Sequence, residues 1–292
     1  MKTKLLVLNA ICMALLAISL QPSFGGKKAQ PPQYQFTTIS FGKEAAVYGI
    51  NQRGHYVGRY ITQSTGLLPT AFSRGFMIKS DTTSIIEVSG ASDTVANGVN
   101  PSGEIVGWCA TSTGKHGFVG EPGAFSTFDF PGAISTVAYG INERGYIVGS
   151  YEDTDGTHGF LQDARGFLSI DVPDASSTEA HGINRKGNIV GAFTDGSGNT
   201  HGFLKVGNGY TDIDVPGAVE TWAYGISPQG NIVGTFTDAS GNYHGFLKTK
   251  TGFTVLNAPD ALDTVIFGIN RRGDIVGWYS DDTRTYGFFA EQ

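Results

Sequence analysis

The stretch Tyr48-Gly-Ile-Asn-Gln-Arg-Gly-His-Tyr-Val-Gly58 decides the fold, because recognisable copies of it recur along the chain. Six copies are anchored at Gly49, Gly98, Gly140, Gly182, Gly225 and Gly268, at intervals of 49, 42, 42, 43 and 43 residues. A period near 42, made of short alternating apolar runs and glycine turns, is that of a β-propeller blade. Composition agrees. The chain has 42 glycines, 12% aromatics and only 16% charged residues. No long amphipathic helix can be drawn beyond its N-terminus.

Each repeat reads as four strands. In the third copy they are Val137–Asn142, Tyr146–Tyr151, His158–Leu161 and Phe167–Val172. Asn142-Glu-Arg-Gly145 suits a type I turn closed by a left-handed glycine. Asp195-Gly-Ser-Gly-Asn199 and Asp238-Ala-Ser-Gly-Asn242 close the second hairpin in the same style. Pro131, Pro173 and Pro216 end the fourth strand, since proline cannot continue a ladder.

The ends of the repeat region complement each other. Phe36-Thr-Thr-Ile-Ser-Phe41 matches the fourth strand Phe125-Ser-Thr-Phe-Asp-Phe130 but has no blade before it. Tyr286-Gly-Phe-Phe289 is a third strand with no fourth strand after it. Residues 35–41 therefore complete the last blade and hide both sheet edges. The expectation is an all-β, six-bladed propeller of four-stranded antiparallel blades over residues 35–292. An open solenoid is the rival, but it has no use for complementary half-repeats.

The phrase Pro-Gly-Ala-x-x-x-Thr-x-Ala-x-Gly-Ile-Asn-x-x-Gly-x-Ile-Val-Gly, followed by His-Gly-Phe-Leu, resembles the bacterial HAF family of extracellular repeats. The resemblance spans about residues 35–292 and runs through Thr136, Gly140, Ile141, Asn142, Gly145, Val148, Gly149, His158, Gly159 and Phe160. The family's eponymous tripeptide is His-Ala-Phe. Here four copies carry His-Gly-Phe, and the outer two carry Arg74-Gly-Phe76 and Tyr286-Gly-Phe288. The resemblance implies a secreted, repetitive, propeller-like protein. It implies no reaction, so it lends no catalytic residues.

Residues 1–25 read as a secretory signal peptide. Lys2 and Lys4 precede the apolar run Leu5–Leu20, and Ser23-Phe24-Gly25 offers a cleavage site before Gly26. A membrane anchor competes, but the run is short for a bilayer span. Residues 26–34 read as a flexible tail. Cleavage removes two lysines and moves the formal charge from −6 to −8. An acidic exterior without a basic cluster argues against nucleic acid and anionic membranes. The expected location is extracellular or periplasmic, and the expected state is a monomer. Cys109 is left without a partner and occupies a slot otherwise held by Tyr60, Tyr151, Phe193, Phe236 and Tyr279, so it should be buried.

Repeated polar residues are expected to be scaffold. His116, His158, His201 and His244 share one slot, too far apart around a ring to converge on one metal ion. Glu87, Asp129, Asp171 and Asp214 share another. They are expected to accept hydrogen bonds from loops containing Thr94, Thr136, Thr178 or Thr221. Asp153-Thr-Asp-Gly156 looks like half a calcium loop but lacks the terminal glutamate, so it reads as a turn. No zinc-protease, nucleophile-elbow, dithiol or phosphate-loop motif occurs. No cofactor and no metal is therefore expected.

Function should lie where the repeats differ. The residue after the second-strand glycine is Arg59, Trp108, Ser150, Ala192, Thr235 and Trp278 in chain order. In a closed ring Trp278, Arg59 and Trp108 fall on consecutive blades. The same sector holds the long insertion Ile61–Phe72, together with Arg74 and Tyr286 in the histidine slot. Indoles flanking a guanidinium suit a sugar or small polar ligand. Alternatively they fill wider gaps between blades. A second candidate is the slot Tyr48, Asn97, Tyr139, His181, Tyr224 and Phe267. If it faces the axis, Asn97 and His181 interrupt an aromatic collar; if not, it is core. Three classes follow: a binding or scaffolding module for a glycan or a protein partner, a propeller lyase or hydrolase, and a purely structural surface protein. The uniform repeats favour the first.

Overall fold

The computed structural model describes residues 32–63, 71–80 and 82–292. The expected leader, most of the tail and the middle of the Ile61–Phe72 insertion lie outside the described residues. Within them the chain forms six four-stranded antiparallel sheets. Their ranges are 45–86, 93–128, 135–170, 177–213 and 220–256 for blades 1 to 5. Blade 6 joins Asp263–Ile269, Ile275–Ser280 and Thr285–Glu291 to the N-terminal strand Gln35–Ile39. The ring is a six-bladed β-propeller, and Gln35 pairs with Glu291 where it is stitched shut. Tyr34, assigned to the tail on sequence grounds, donates its hydroxyl to the Gly273 carbonyl at 3.1 Å. Burial, then the Asp274 carboxylate, pushes its pKa up to about 12. Strand bounds differ from expectation by one or two residues. The fourth strands stop before the prolines, at Phe128, Ile170 and Ile213.

The core lies between blades. The phenylalanine of each third strand (Phe76, Phe118, Phe160, Phe203, Phe246, Phe288) is fully buried, as is the second-strand valine of each blade. One cluster joins Met77 and Ile86 of blade 1 to Ile105, Cys109 and Phe118 of blade 2. Another joins Ile170 of blade 3 to Ile183 and Phe203 of blade 4. Cys109 is buried as expected, and burial raises its thiol pKa.

The recurrent asparagine has two jobs. Asn142 Oδ1 accepts the backbone N–H of Arg144 and Tyr146, at 2.9 and 3.1 Å, shaping the turn. Its Nδ2 donates to the Asn184 carbonyl of the next blade at 3.1 Å. Asn51 and Asn184 reach forward in the same way, to Asn100 and Ser227. One side chain thus forms a turn and links neighbouring sheets, which explains its place beside the anchor glycine. The glycine is needed for a close approach. A Cβ on Gly140 would stand 2.7 Å from the His181 carbonyl of blade 4.

The repeated histidines act within their blades. His116, His158 and His201 pair through Nδ1 with Asp129, Asp171 and Asp214 at 2.9, 2.8 and 3.1 Å. His244 faces Asn257 instead. In blade 1 the pair becomes Arg74–Glu87 at 2.8 Å. The expected threonine partner of these acids is corrected. Thr178 Oγ1 accepts the backbone N–H of Val172, the residue after Asp171, at 3.1 Å. Thr94, Thr136, Thr221 and Thr264 do the same. A threonine hydroxyl one strand away reaches the nearest orphaned N–H, leaving the carboxylate to the imidazole.

Candidate functional site

The inner strand of each blade carries a β-bulge. In blade 3 the register shifts between Ala138 and Gly140, leaving Tyr139 unopposed. The same shift frees Tyr48, Asn97, His181, Tyr224 and Phe267. A bulge re-aims the side chain it releases. Here all six line an axial cavity of about 590 Å³. Ring centroids step around it at 4.7 Å from Tyr139 to His181 and 4.9 Å from His181 to Tyr224. They continue at 4.7 Å from Tyr224 to Phe267 and 4.9 Å from Phe267 to Tyr48. Asn97 spans the remaining gap by donating Nδ2 to the Ala138 carbonyl at 2.8 Å. The slot left undecided between axis and core therefore forms an axial collar. Below it lies an apolar ring of Ile50, Val99, Ile141, Ile183, Ile226 and Ile269.

Above the collar the cavity is asymmetric. On the blade 1–2 side, Arg59, Ser73 and Trp108 line it. Arg59 Nε donates to the Tyr48 hydroxyl at 2.7 Å, and Nη1 lies 3.5 Å from Ser73 Oγ. Lys115 places its ammonium 4.6 Å from the centre of the Trp108 ring, so a cation covers one indole face. On the blade 4 side stand Glu179 and His181. His181 Nε2 is buried, 3.6 Å from Glu179 Oε2, and has no hydrogen-bond partner among the described residues. Burial lowers its pKa against the opposing pull of Glu179, so the imidazole is neutral at neutral pH. The Tyr139 hydroxyl lies 3.4 Å from Glu179 Oε1. Burial, then Glu179, raises the pKa of Tyr139 and Tyr224 well beyond the usual phenol value.

Three of the five candidate residues fall at this mouth, and a fourth lies in a neighbouring pocket. Arg59, Trp108 and His181 line the axial cavity. Trp278 joins Arg59 in a pocket of about 170 Å³ at the stitched seam, with Glu44, Ala46 and Thr285. Arg74 does not join them. It pairs with Glu87, donates to the Ser73 and Ser92 carbonyls, and lines a separate groove of about 490 Å³ beside Phe125. The reason is strand parity. Arg59 opposes Gly75, whereas Arg74 opposes Tyr60, so their side chains leave opposite faces of the sheet.

Glu179 and Trp222 escape a reading of one slot at a time. They belong to the first-strand slot Ala46, Val95, Val137, Glu179, Trp222 and Val265, which pairs across the strands with Arg59, Trp108, Ser150, Ala192, Thr235 and Trp278. In five of the six blades a large residue faces a smaller one: Arg59 with Ala46, Trp108 with Val95, Trp278 with Val265, then Glu179 with Ala192 and Trp222 with Thr235, while blade 3 pairs Val137 with Ser150. Cross-strand neighbours share one volume, so the two slots must be read together. All three tryptophans of the chain occupy this level.

Two histidines should titrate on opposite sides of the ordinary imidazole value of 6.5. Burial alone would lower His201, but the Asp214 and Asp195 carboxylates outweigh it and raise its pKa. His201 therefore adds stability that is complete below pH 6.5 and lost as pH rises through its raised folded value. His181 acts in reverse. Its lowered pKa makes the native state resist protonation, so stability falls as pH drops below 6.5. NMR titration of the imidazole carbons should place His201 above 6.5 and His181 below it. The opposite order would contradict this electrostatic picture of the cavity.

No family model and no curated protein matches the chain. Solved structures share its fold. TolB from Acinetobacter baumannii superposes with a TM-score of 0.58 at 14% identity, over 82% of this chain. The chain spans 64% of that structure's length. AofleA from Arthrobotrys oligospora gives 0.54 at 10% identity, over 89% of this chain and 86% of its own. The β-propeller domain of the Trilobed protease from Pyrococcus furiosus gives 0.52 at 10% identity, over 86% and 82%. That domain has an open velcro topology, whereas the ring here is stitched by its N-terminal strand. At such identities the likeness is one of fold alone. No helix among the described residues is long and apolar enough to cross a membrane.

Proposed function

We propose that the protein is a secreted binding module of the HAF-repeat type, whose ligand enters the axial mouth. The ligand is a small polar group presented by a glycan or by a protein partner. One observation carries this reading: an imidazole nitrogen with no hydrogen-bond partner among the described residues, buried in an aromatic-walled cavity of about 590 Å³ that also holds Arg59 and Trp108. A buried polar atom without a partner costs free energy, and a ligand that supplies the missing hydrogen bond recovers it. A thermal-shift screen of sugars and short peptides tests it, because a ligand that binds the native state raises the melting temperature. Trp108→Ala and Arg59→Gln should stay folded and weaken the response about tenfold. Failure of both variants to fold would assign these side chains to packing between blades.

The row Tyr139, Glu179 and neutral His181 supports a second reading, a lyase or hydrolase in which His181 accepts a proton from bound substrate. Conversion of a bound ligand, seen by mass spectrometry and abolished in His181→Asn, would establish it. Recovery of every bound ligand unchanged would dismiss it.

A further inference from the structure

We infer that the axial mouth selects a small zwitterion, an amino acid or short peptide with both termini free, its carboxylate at Arg59 and its ammonium at Glu179. This rests on the axial binding reading above and adds the chemistry of the ligand. Blades 1 and 4 lie three places apart in a six-membered ring, so Arg59 and Glu179 stand on opposite walls of one cavity. Each is available. The guanidinium is oriented by the Tyr48 and Ser73 hydroxyls and makes no ion pair among the described residues. Among the described residues the Glu179 carboxylate has only the long Tyr139 contact and the 3.6 Å approach of a neutral imidazole.

The second-hairpin turns add acidic groups on the Glu179 side: those of blades 3 to 6 carry Asp153, Asp195, Asp238 and Asp281. The corresponding segments of blades 1 and 2, Ile61–Phe72 and Thr111–Gly114, contain no acidic residue. Lys115 adds a second cation beside Trp108 on that side. Fixed charges of opposite sign on facing low-dielectric walls orient a dipolar ligand and disfavour one that is singly charged. A neutral sugar would leave both charges unmatched. A uronate would satisfy Arg59 and leave Glu179 without a cation. Between the two charged walls, the collar rings and the Trp108 indole supply apolar surface for the ligand's carbon frame.

Calorimetric titration of the protein with triglycine, N-acetyl-triglycine, triglycine amide, glucuronate and glucose tests the inference without any variant. Triglycine should bind, and blocking either terminus should weaken it about tenfold, since each block removes one charge-assisted contact. Glu179→Gln should make the free and N-acetylated peptides equivalent. Arg59→Gln should do the same for the free and amidated peptides. Equal affinity of all three peptides overturns the inference. Tighter binding of glucuronate, or of a neutral sugar, also overturns it while leaving the axial binding site in place. Silence from every peptide and every sugar, with the native protein folded, removes both.

Discussion

A chain that begins at Lys43 should lose cooperative folding. Removing the strand Gln35–Ile39 and the following Phe41 uncovers the outer edge of blade 6, where Thr37 pairs with Phe289 and Ile39 with Gly287. It also strips Phe36 from Phe288, 5.1 Å between ring centres, and Phe41 from Phe76, 4.9 Å. Ile39 and Phe41 are buried, and burying such a side chain is worth about 1.5–3 kcal/mol. Together with the lost ladder, that approaches the whole stability of a domain, about 5–15 kcal/mol. The bare edge also invites pairing between molecules. Urea unfolding should show no cooperative transition, and size-exclusion chromatography should show association. An unchanged urea midpoint would mean that the stitch contributes nothing. A permuted chain separates the strand's chemistry from its place in the sequence. Gln35 lies opposite Glu291, so residues 35–41 can follow Gln292 through a short Asn-Gly turn. Blade 6 then becomes continuous like blades 2 to 5, and cooperative folding should return.

Gly149→Ala should be nearly as damaging, although it adds a single methyl group. An added Cβ would lie 2.0 Å from the Val137 carbonyl and 2.6 Å from the Phe160 ring. The carbonyl belongs to the ladder, where Val137 pairs with Ser150, so it cannot withdraw without breaking the sheet. Phe160 is fully buried and has no room to retreat. Overpacking a core costs about 1–3 kcal/mol, and displaced backbone places this case at the upper end or beyond. Gly196→Ala is the control. It lies on an exposed turn with nothing within 4 Å of the added carbon. It should be neutral, or stabilise by about 0.4–1 kcal/mol through the unfolded chain. Thermal unfolding of the two variants side by side reads the contrast, and equal melting temperatures would refute the packing account of the second-strand glycine.

The blade was legible because its elements are local. The Asn142–Gly145 turn, the Asp195–Asn199 turn and the alternating strands between them each need only a few neighbouring residues to be recognised. The closing strand was legible because Phe36–Phe41 repeats a blade segment found again at Phe125–Phe130. The histidine slot was legible because equivalence around a ring already rules out convergence. The acid slot was only half read. A carboxylate with both a threonine loop and a histidine within a strand's reach can take either partner, and three-dimensional distance makes that choice.

Repetition, turn chemistry and complementary ends were thus enough for the ring, its blade number and its closure, since each follows from short-range spacing along the chain. The mouth was decided in three dimensions. A bulge inserts one residue and reverses the in–out alternation, so no periodicity count could say that His181 looks into the axis. Strand parity sent Arg74 away from Arg59, although both interrupt the repeat in blade 1. Glu179 and Arg59, 120 positions apart in the chain, face one another only because closing the circle sets blade 4 across from blade 1.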